Sequence, residues 1–104
     1  MEILFFDQDI EDFVGGLERQ TLAKTLRTLD LLKKFGNSLG MPHSKKIGRN
    51  LFELRVRGKH EIRIIYTFHN KSIVLLLGFI RKNQRIPRHW IVLARKRLDS
   101  LANI

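Results

Sequence analysis

Four histidines, His43, His60, His69 and His89, are the only side chains of this 104-residue chain that titrate near neutrality. Around them stand twenty Lys+Arg against ten Asp+Glu, and there is no cysteine. Thiolate nucleophiles, thiolate metal sites and disulfides are therefore excluded. No pair of carboxylates, HExxH, glycine-rich phosphate loop, GxSxG or DxD pattern occurs. Nothing calls for a metal or a small-molecule cofactor. The chemistry left to arginine, lysine and imidazole is the stabilisation of charge on phosphate, for which the arginine fork matches two phosphate oxygens. Cleavage of RNA by its own 2′-hydroxyl would use such cations, with a base near that hydroxyl and an acid at the leaving 5′-oxygen.

The positive charge is unevenly placed. Residues 1–42 hold five basic and seven acidic side chains, whereas residues 43–104 hold fifteen and three. In so small a chain this asymmetry points to a polyanionic partner, with nucleic acid ahead of an anionic membrane surface or an acidic protein. The bland alternative is a chain that is basic for solubility. The N-terminus is acidic, and the apolar run Ile3 to Phe6 is too short for a signal-peptide core or a membrane span. A cytoplasmic location is the default expectation.

The basic half contains the clearest structural pattern, from Leu51 to Pro87. Phe52, Leu54 and Val56 alternate with Glu53, Arg55 and Arg57; Ile62, Ile64, Tyr66 and Phe68 alternate with Glu61, Arg63, Ile65 and Thr67. Both runs have the period of a strand. Ile73 to Ile80 is apolar apart from Gly78, as in a central strand covered on both faces. A three-residue turn, Gly58 to His60, keeps the apolar sets on one face and pairs Val56 with Ile62, Leu54 with Ile64 and Phe52 with Tyr66. It sets Arg55 opposite Arg63 and Arg57 opposite Glu61. A hairpin at Asn70-Lys71 then pairs Tyr66 with Leu75 and Ile62 with Phe79, leaving Gly78 beside Arg63. Like charges directly opposite cost about 0.2–1 kcal/mol, so their juxtaposition suggests an anion site unless Glu53 or another carboxylate neutralises it.

The remaining elements frame this sheet. Met1 to Phe6 suits an edge strand. Asp7 or Asp9 caps a helix that Gly15-Gly16 breaks. A longer helix over 18–35 carries an apolar stripe of Leu22, Leu26, Leu29 and Leu32 with Ala23 and Phe35. Residues 37–50 read as a polar loop with His43, Lys45, Lys46 and Arg49, and residues 81–85 as a second basic loop. A last helix over 87–101 buries Ile91, Ala94, Leu98 and Leu101, with Trp90 beside that stripe. The order is that of one α+β domain spanning residues 1–104.

This arrangement gathers Arg57, Lys59, His60, Arg81, Lys82 and Arg85 at one end of the sheet, with Arg55 and Arg63 on the face leading to it. The candidate catalytic residues are Arg63 and Arg55, for phosphate charge, and His89 and His60, for protons. The candidate RNA-binding residues are Arg81, Lys82, Lys45, Lys46, Arg57 and Arg85. Tyr66 reads as core, and Glu53 and Glu61 as partners of arginines.

The phrases LFELR, EIRIIY and LLLGFIRKNQRIP, with the earlier LDLLKKFG and MPHSKKI, resemble the phage-derived HigB-like branch of the RelE/ParE toxin superfamily, over about residues 13–98. The resemblance implies a RelE-like fold, with a small, mostly antiparallel four-stranded sheet, an N-terminal helical hairpin and a C-terminal helix. It also implies the toxin of a type II toxin–antitoxin pair that cuts mRNA in the ribosomal A site without metal and is neutralised by a HigA-like helix-turn-helix antitoxin. Arg63 matches the arginine of the family's R-x-x-Y strand, and Arg81 and Lys82 match the basic pair closing the last strand. Where RelE has two catalytic lysines in a K-x-K-L-R strand, this chain has Leu51 and Glu53; where RelE has a tyrosine near its last helix, it reads Arg88, His89, Trp90. ParE members share the fold and poison DNA gyrase instead. Gyrase inhibition, or RNA binding without catalysis, is thus an alternative to an endoribonuclease.

Overall fold

The computed structural model describes residues 1–82 and 84–102. The chain runs through β1 (Glu2–Phe5), α1 (Gln8–Gly15), α2 (Arg19–Phe35), a 3-10 turn (Gly36–Ser38), β2 (Ser44–Gly48), β3 (Leu51–Val56), β4 (Ile62–His69), β5 (Ser72–Ile80) and α3 (Arg88–Leu101). The strands form one sheet in the order β1-β5-β4-β3-β2. β1 runs parallel to β5, and every other pairing is antiparallel.

The helix boundaries follow local chemistry. Asp7 Oδ1 accepts a hydrogen bond from the Ile10 amide at 3.2 Å, and Glu18 Oε1 accepts one from the Thr21 amide at 2.8 Å. Each satisfies an amide that the first helical turn leaves without a partner. The Thr21 amide also holds the Glu18 carboxyl below its ordinary value. Gly16 closes α1, and Gly36, at a φ of 53°, closes α2.

Both faces of the sheet are covered. Leu54, Val56, Ile62, Ile64, Tyr66, Ile73 and Leu75 pack beneath Ile10 and Val14 of α1 and Leu29 and Leu32 of α2. On the opposite face, Leu51, Ile65, Val74, Leu76, Leu77 and Phe79 pack against Ala94 and Leu101 of α3. The uninterrupted apolar run of β5 therefore has the central position that its composition suggests, between β1 and β4.

Several expectations need correction. The sheet has five strands and is mixed, because β1 joins in parallel and residues 44–48, read as loop, form β2. Ser44-Lys45-Lys46 is too polar to announce a strand, yet charged side chains suit a sheet edge. The two N-terminal helices are not a hairpin of matched arms. α1 has 8 residues and lies on β5, whereas α2 has 17 and lies on β3.

The buried stripe of α2 is also rotated from the leucine pattern. Thr21, Thr25, Thr28, Leu29 and Leu32 face inward, whereas Leu26 and Phe35 are 49% and 48% exposed, and Ala23 is exposed. Thr25 Oγ1 donates to the Thr21 carbonyl and Thr28 Oγ1 to the Lys24 carbonyl. With its hydroxyl satisfied on the helix backbone, each threonine can turn its methyl to the core.

In the β3–β4 ladder, Phe52 pairs with Tyr66, Leu54 with Ile64, Arg55 with Arg63 and Val56 with Ile62, as the alternation requires. The ladder ends there, so the turn spans five residues and Arg57 is not paired with Glu61. In β4–β5, Tyr66 pairs with Leu75, but a bulge at Leu76 shifts the rest by one residue. Ile62 meets Ile80, Arg63 meets Phe79, and Gly78 lies opposite Ile64. The bulged residue's carbonyl accepts a hydrogen bond from Arg97 of α3.

Candidate functional site

A cleft of about 430 Å³ opens on the α3 side of the sheet. Its charged lining comes from β2 (Lys45, Lys46), β3 (Glu53, Arg55), β4 (Arg63) and the segment after β5 (Arg81, Arg85), with Gln84 between the last two. Ile47, Phe79, Ile86 and Ile91 supply apolar walls. Among the described lining residues there are six cations and one carboxylate.

Alternation along β3 sends Glu53 and Arg55 to the same face as Arg63 of β4. Glu53 Oε1 accepts from Arg55 Nε at 2.7 Å and lies 3.7 Å from Arg63 Nε. Glu61 Oε2 lies 2.7 Å from Arg81 Nη1 and 3.4 Å from Arg63 Nη2. Arg63 also donates to the Ile62 carbonyl at 3.3 Å. Three arginines are thus threaded by two carboxylates.

Arg63 is only 1% exposed. Burial pulls its guanidinium below the usual arginine value, against the opposing attraction of Glu53, while Arg81 and Arg55 disfavour its charge. An arginine stays protonated nonetheless. The hydrogen bond from Arg81 holds the Glu61 carboxyl below its ordinary value, with help from the Arg63 and Arg57 charges. The cleft therefore offers fixed positive charge, its arginines oriented before any ligand arrives.

Of the residues singled out in the sequence, Arg55, Arg63, Lys45, Lys46, Arg81 and Arg85 come together here. The others do not. Arg57 lines a separate depression with Lys24, Arg27, His43 and Arg55 on the α2 side. His60 is exposed in the β3–β4 turn, which leans toward α2 where Lys24 approaches Gly58. Lys82 and His89 line a second groove, with Phe13, Phe79, Pro87 and Trp90. The expected single cluster from two loops is thus split by the longer turn and by Phe79, which the bulge brings opposite Arg63. The role given to Gly78 beside Arg63 passes to its other neighbour: Gly78 makes room for Phe13, whose ring would stand 2.6 Å from a Cβ there. The basic segment between Lys82 and Gln84 includes Asn83, which lies outside the described residues.

Glu53 is the cleft residue whose position sequence reasoning undervalued. The sequence marks it as an arginine partner, and it is one; its place as the one carboxylate among the described lining residues follows only from β2 and Arg81, Gln84, Arg85 and Ile86 closing around it. The direct pairing of Lys45 with Glu53 was hidden by the same misread strand. Tyr66 is core, as expected: it is buried, hydrogen-bonded to Ser44 Oγ at 2.5 Å and stacked near Phe52. Burial raises its phenol above the usual value, and the Ser44 bond partly opposes this. Trp90 is half-buried and stacks on Phe79 with ring centroids 5.4 Å apart. Among the described residues, no group of three or more His, Cys, Asp or Glu side chains could hold a metal ion, and no helix is long and apolar enough to cross a membrane.

Comparisons with known proteins agree with this architecture. Two solved structures share the fold: the YoeB-YefM complex from Staphylococcus aureus, at a TM-score of 0.57, and a heterotetrameric YoeB-YefM toxin-antitoxin complex from Staphylococcus aureus, at 0.56. Each is 18% identical and is matched over 80% of this chain and 97% of the other. No curated protein matches the chain. The family model described as "Phage derived protein Gp49-like (DUF891)" matches residues 12–99. The chain therefore belongs to the phage-derived Gp49-like family.

Proposed function

We propose that this protein is the toxin of a toxin–antitoxin pair, and that it is an endoribonuclease acting on ribosome-bound mRNA in the cleft between β2, β3, β4 and the 81–86 segment. The observation that carries the reading is the charge arrangement: six cations surround one carboxylate, with the buried Arg63 clamped at the centre. Arg63 and Arg55 bind the scissile phosphate and stabilise the extra negative charge of the phosphorane. Lys45, Lys46, Arg81 and Arg85 hold neighbouring phosphates.

Glu53 is the one carboxylate among the described residues lining this cleft, and we assign it the base. It accepts the 2′-hydroxyl proton as the 2′-oxygen attacks phosphorus; the bond to the 5′-oxygen breaks, and that oxygen leaves with a proton from an acid. The products are a 2′,3′-cyclic phosphate and a 5′-hydroxyl end. We assign the acid to His89, which stands across Phe79 from the cleft in the neighbouring groove. No step requires a metal. The toxin-antitoxin complexes that share the fold support an antitoxin partner, and we assign it to a HigA-like helix-turn-helix protein on the sequence resemblance.

Primer extension on translated mRNA after induction tests this reading. Cuts in phase with codons support it, and intact message in cells arrested by folded protein would sink it. One observation favours a second reading, non-hydrolytic inhibition of gyrase: none of the four histidines lines the arginine cleft. Inhibition of gyrase supercoiling by the purified chain, with mRNA intact, would select it.

A further inference from the structure

The outer edge of β5 is only half covered. β1 pairs with residues 72–75, and a last bond runs from the Phe6 amide to the Leu75 carbonyl. Beyond the bulge, no described strand lies outside β5. The Arg81 amide bonds the Glu61 carbonyl at 2.8 Å, so residue 81 points toward β4. By the alternation of an antiparallel ladder, Gly78 and Ile80 turn their N–H and C=O groups outward. Among the described residues, no backbone hydrogen bond reaches them.

This open edge is the floor of a groove. Phe13 of α1 flanks it on one face; Phe79 and Trp90, stacked at 5.4 Å, flank it on the other. A neighbouring depression, lined by Ile10, Leu77 and Leu93 with one carboxylate, Asp9, and one cation, Arg97, adjoins it. Ile80 is 44% exposed. Lys82, exposed, and His89 also line it.

We infer that the Gly78–Ile80 edge of β5, between Phe13 and Trp90, takes an extended acidic segment of a partner protein as a sixth strand. Main-chain bonds to Gly78 and Ile80 supply the affinity, and alternate side chains pack on Phe13 to one side and on Phe79 and Trp90 to the other. Carboxylates lie toward Lys82 and Arg97. A second copy of this chain is the poorer occupant, because each copy carries a formal net charge of +10. The inference rests on the toxin reading only for the carrier of the segment, which is then the antitoxin; strand addition does not depend on RNA cleavage.

The test titrates the full chain with a ten-residue peptide of alternating valine and glutamate, reading amide exchange and affinity. Exchange at Gly78 and Ile80 is expected to slow about tenfold or more, as amides entering a ladder do. A peptide N-methylated at alternate residues, which leaves the protein untouched, and one with lysine for glutamate are each expected to bind at least about tenfold more weakly. Ile80→Pro removes one outward N–H at a position where an edge strand tolerates proline, and should weaken binding similarly with the circular dichroism unchanged. Equal binding of the methylated peptide, or protection elsewhere on the sheet, overturns the inference. So does concentration-dependent self-association that protects the same two amides without peptide. Because His89 lines the same groove, binding is read by exchange and affinity alone, and only cleavage measured without peptide bears on the catalytic reading.

Discussion

Arg55 and Arg63 face each other directly across the β3–β4 ladder, and one carboxylate oxygen, Glu53 Oε1, stands 2.7 Å from Nε of the first and 3.7 Å from Nε of the second. A like-charge cross-strand pair costs about 0.2–1 kcal/mol. A hydrogen bond to a charged group contributes about 1.5–3 kcal/mol, so Glu53 more than offsets the repulsion. The pair is thereby held with its positive charge fixed, a condition for stabilising a phosphorane without reorganisation.

The burial of Arg63 decides which substitution is informative. Arg63→Ala leaves Glu53 and Glu61 without a central partner, and breaking a buried pair costs about 3–5 kcal/mol. The low end applies, since the Glu61 side chain is 38% exposed. A loss of toxicity in that variant would confound chemistry with folding. Arg63→Lys keeps the charge and removes the planar fork. RNA cleavage should fall by about 10²-fold or more, with the Tm lowered far less than in Arg63→Ala. Parent-level cleavage by a folded Arg63→Lys would remove Arg63 from the site.

Glu53→Gln separates the roles of base and counter-ion. Neutralising the one carboxylate among the described cleft residues removes repulsion of phosphate, so RNA affinity should rise. If Glu53 accepts the 2′-hydroxyl proton, cleavage should nevertheless drop by about 10²–10⁴-fold. Binding by filter retention and single-turnover cleavage of the same RNA measure both. Tighter binding with undiminished cleavage would leave Glu53 as a clamp alone.

Much of this cleft was legible in the sequence, because period-2 alternation over 52–56 and 62–68 leaves one acceptable register, and that register makes Arg55 and Arg63 partners. What escaped has physical causes. Lys45 and Lys46 lie on an edge strand whose polar sequence has no strand period of its own. The bulge at Leu76 sits in a run of five apolar residues, Ile73 to Leu77, where every register buries something, so composition cannot locate the extra residue. Threonines buried on α2 outcompeted the more obvious leucines because their hydroxyls are satisfied within the helix. His60 and Lys82 were misplaced by those errors, since a longer turn and a one-residue shift carry them off the cleft.

The rim lysines should act through charge alone. Each phosphate contact to a single strand contributes about 0.7 to the slope of log affinity against log salt. Lys45→Ala with Lys46→Ala should flatten that slope by up to about 1.4. The same pair at Lys24 and Arg27, beside Arg57 and sharing Arg55 with the cleft, tests whether RNA continues around β3 toward α2. An unchanged slope in the first pair would exclude both lysines from the phosphate track.

Acid should loosen the arginine thread at Glu61. Its folded carboxyl lies below the ordinary value of 4.5, first through the Arg81 hydrogen bond and then through the Arg63 charge. A depressed carboxylate contributes stability that is complete above the unfolded value and is lost as pH falls through the folded one. Denaturant midpoints should therefore decline as pH drops below about 4.5, and Glu61→Gln should lower stability at neutral pH while flattening that decline. Parallel acid limbs in the two proteins would show that Glu61 does not carry this dependence.

Gly78 provides the sharpest packing test. A Cβ there would meet Phe13 Cδ2 and Cε2 at 2.6 Å and Ile10 Cδ1 at 3.1 Å. Gly78 is tied to Ile64 of β4 in the ladder, so the ring is the part expected to move. Gly78→Ala should cost about 1–3 kcal/mol, the usual range for overpacking. Phe13→Leu removes the clashing ring edge, so the double variant should lose less than the sum of the two single losses. Additive losses in a double-mutant cycle would mean that the alanine is accommodated without displacing Phe13. Because Phe13 also walls the open edge of β5, the same Gly78→Ala protein should bind the valine–glutamate peptide more weakly even where its arginine cleft still binds RNA.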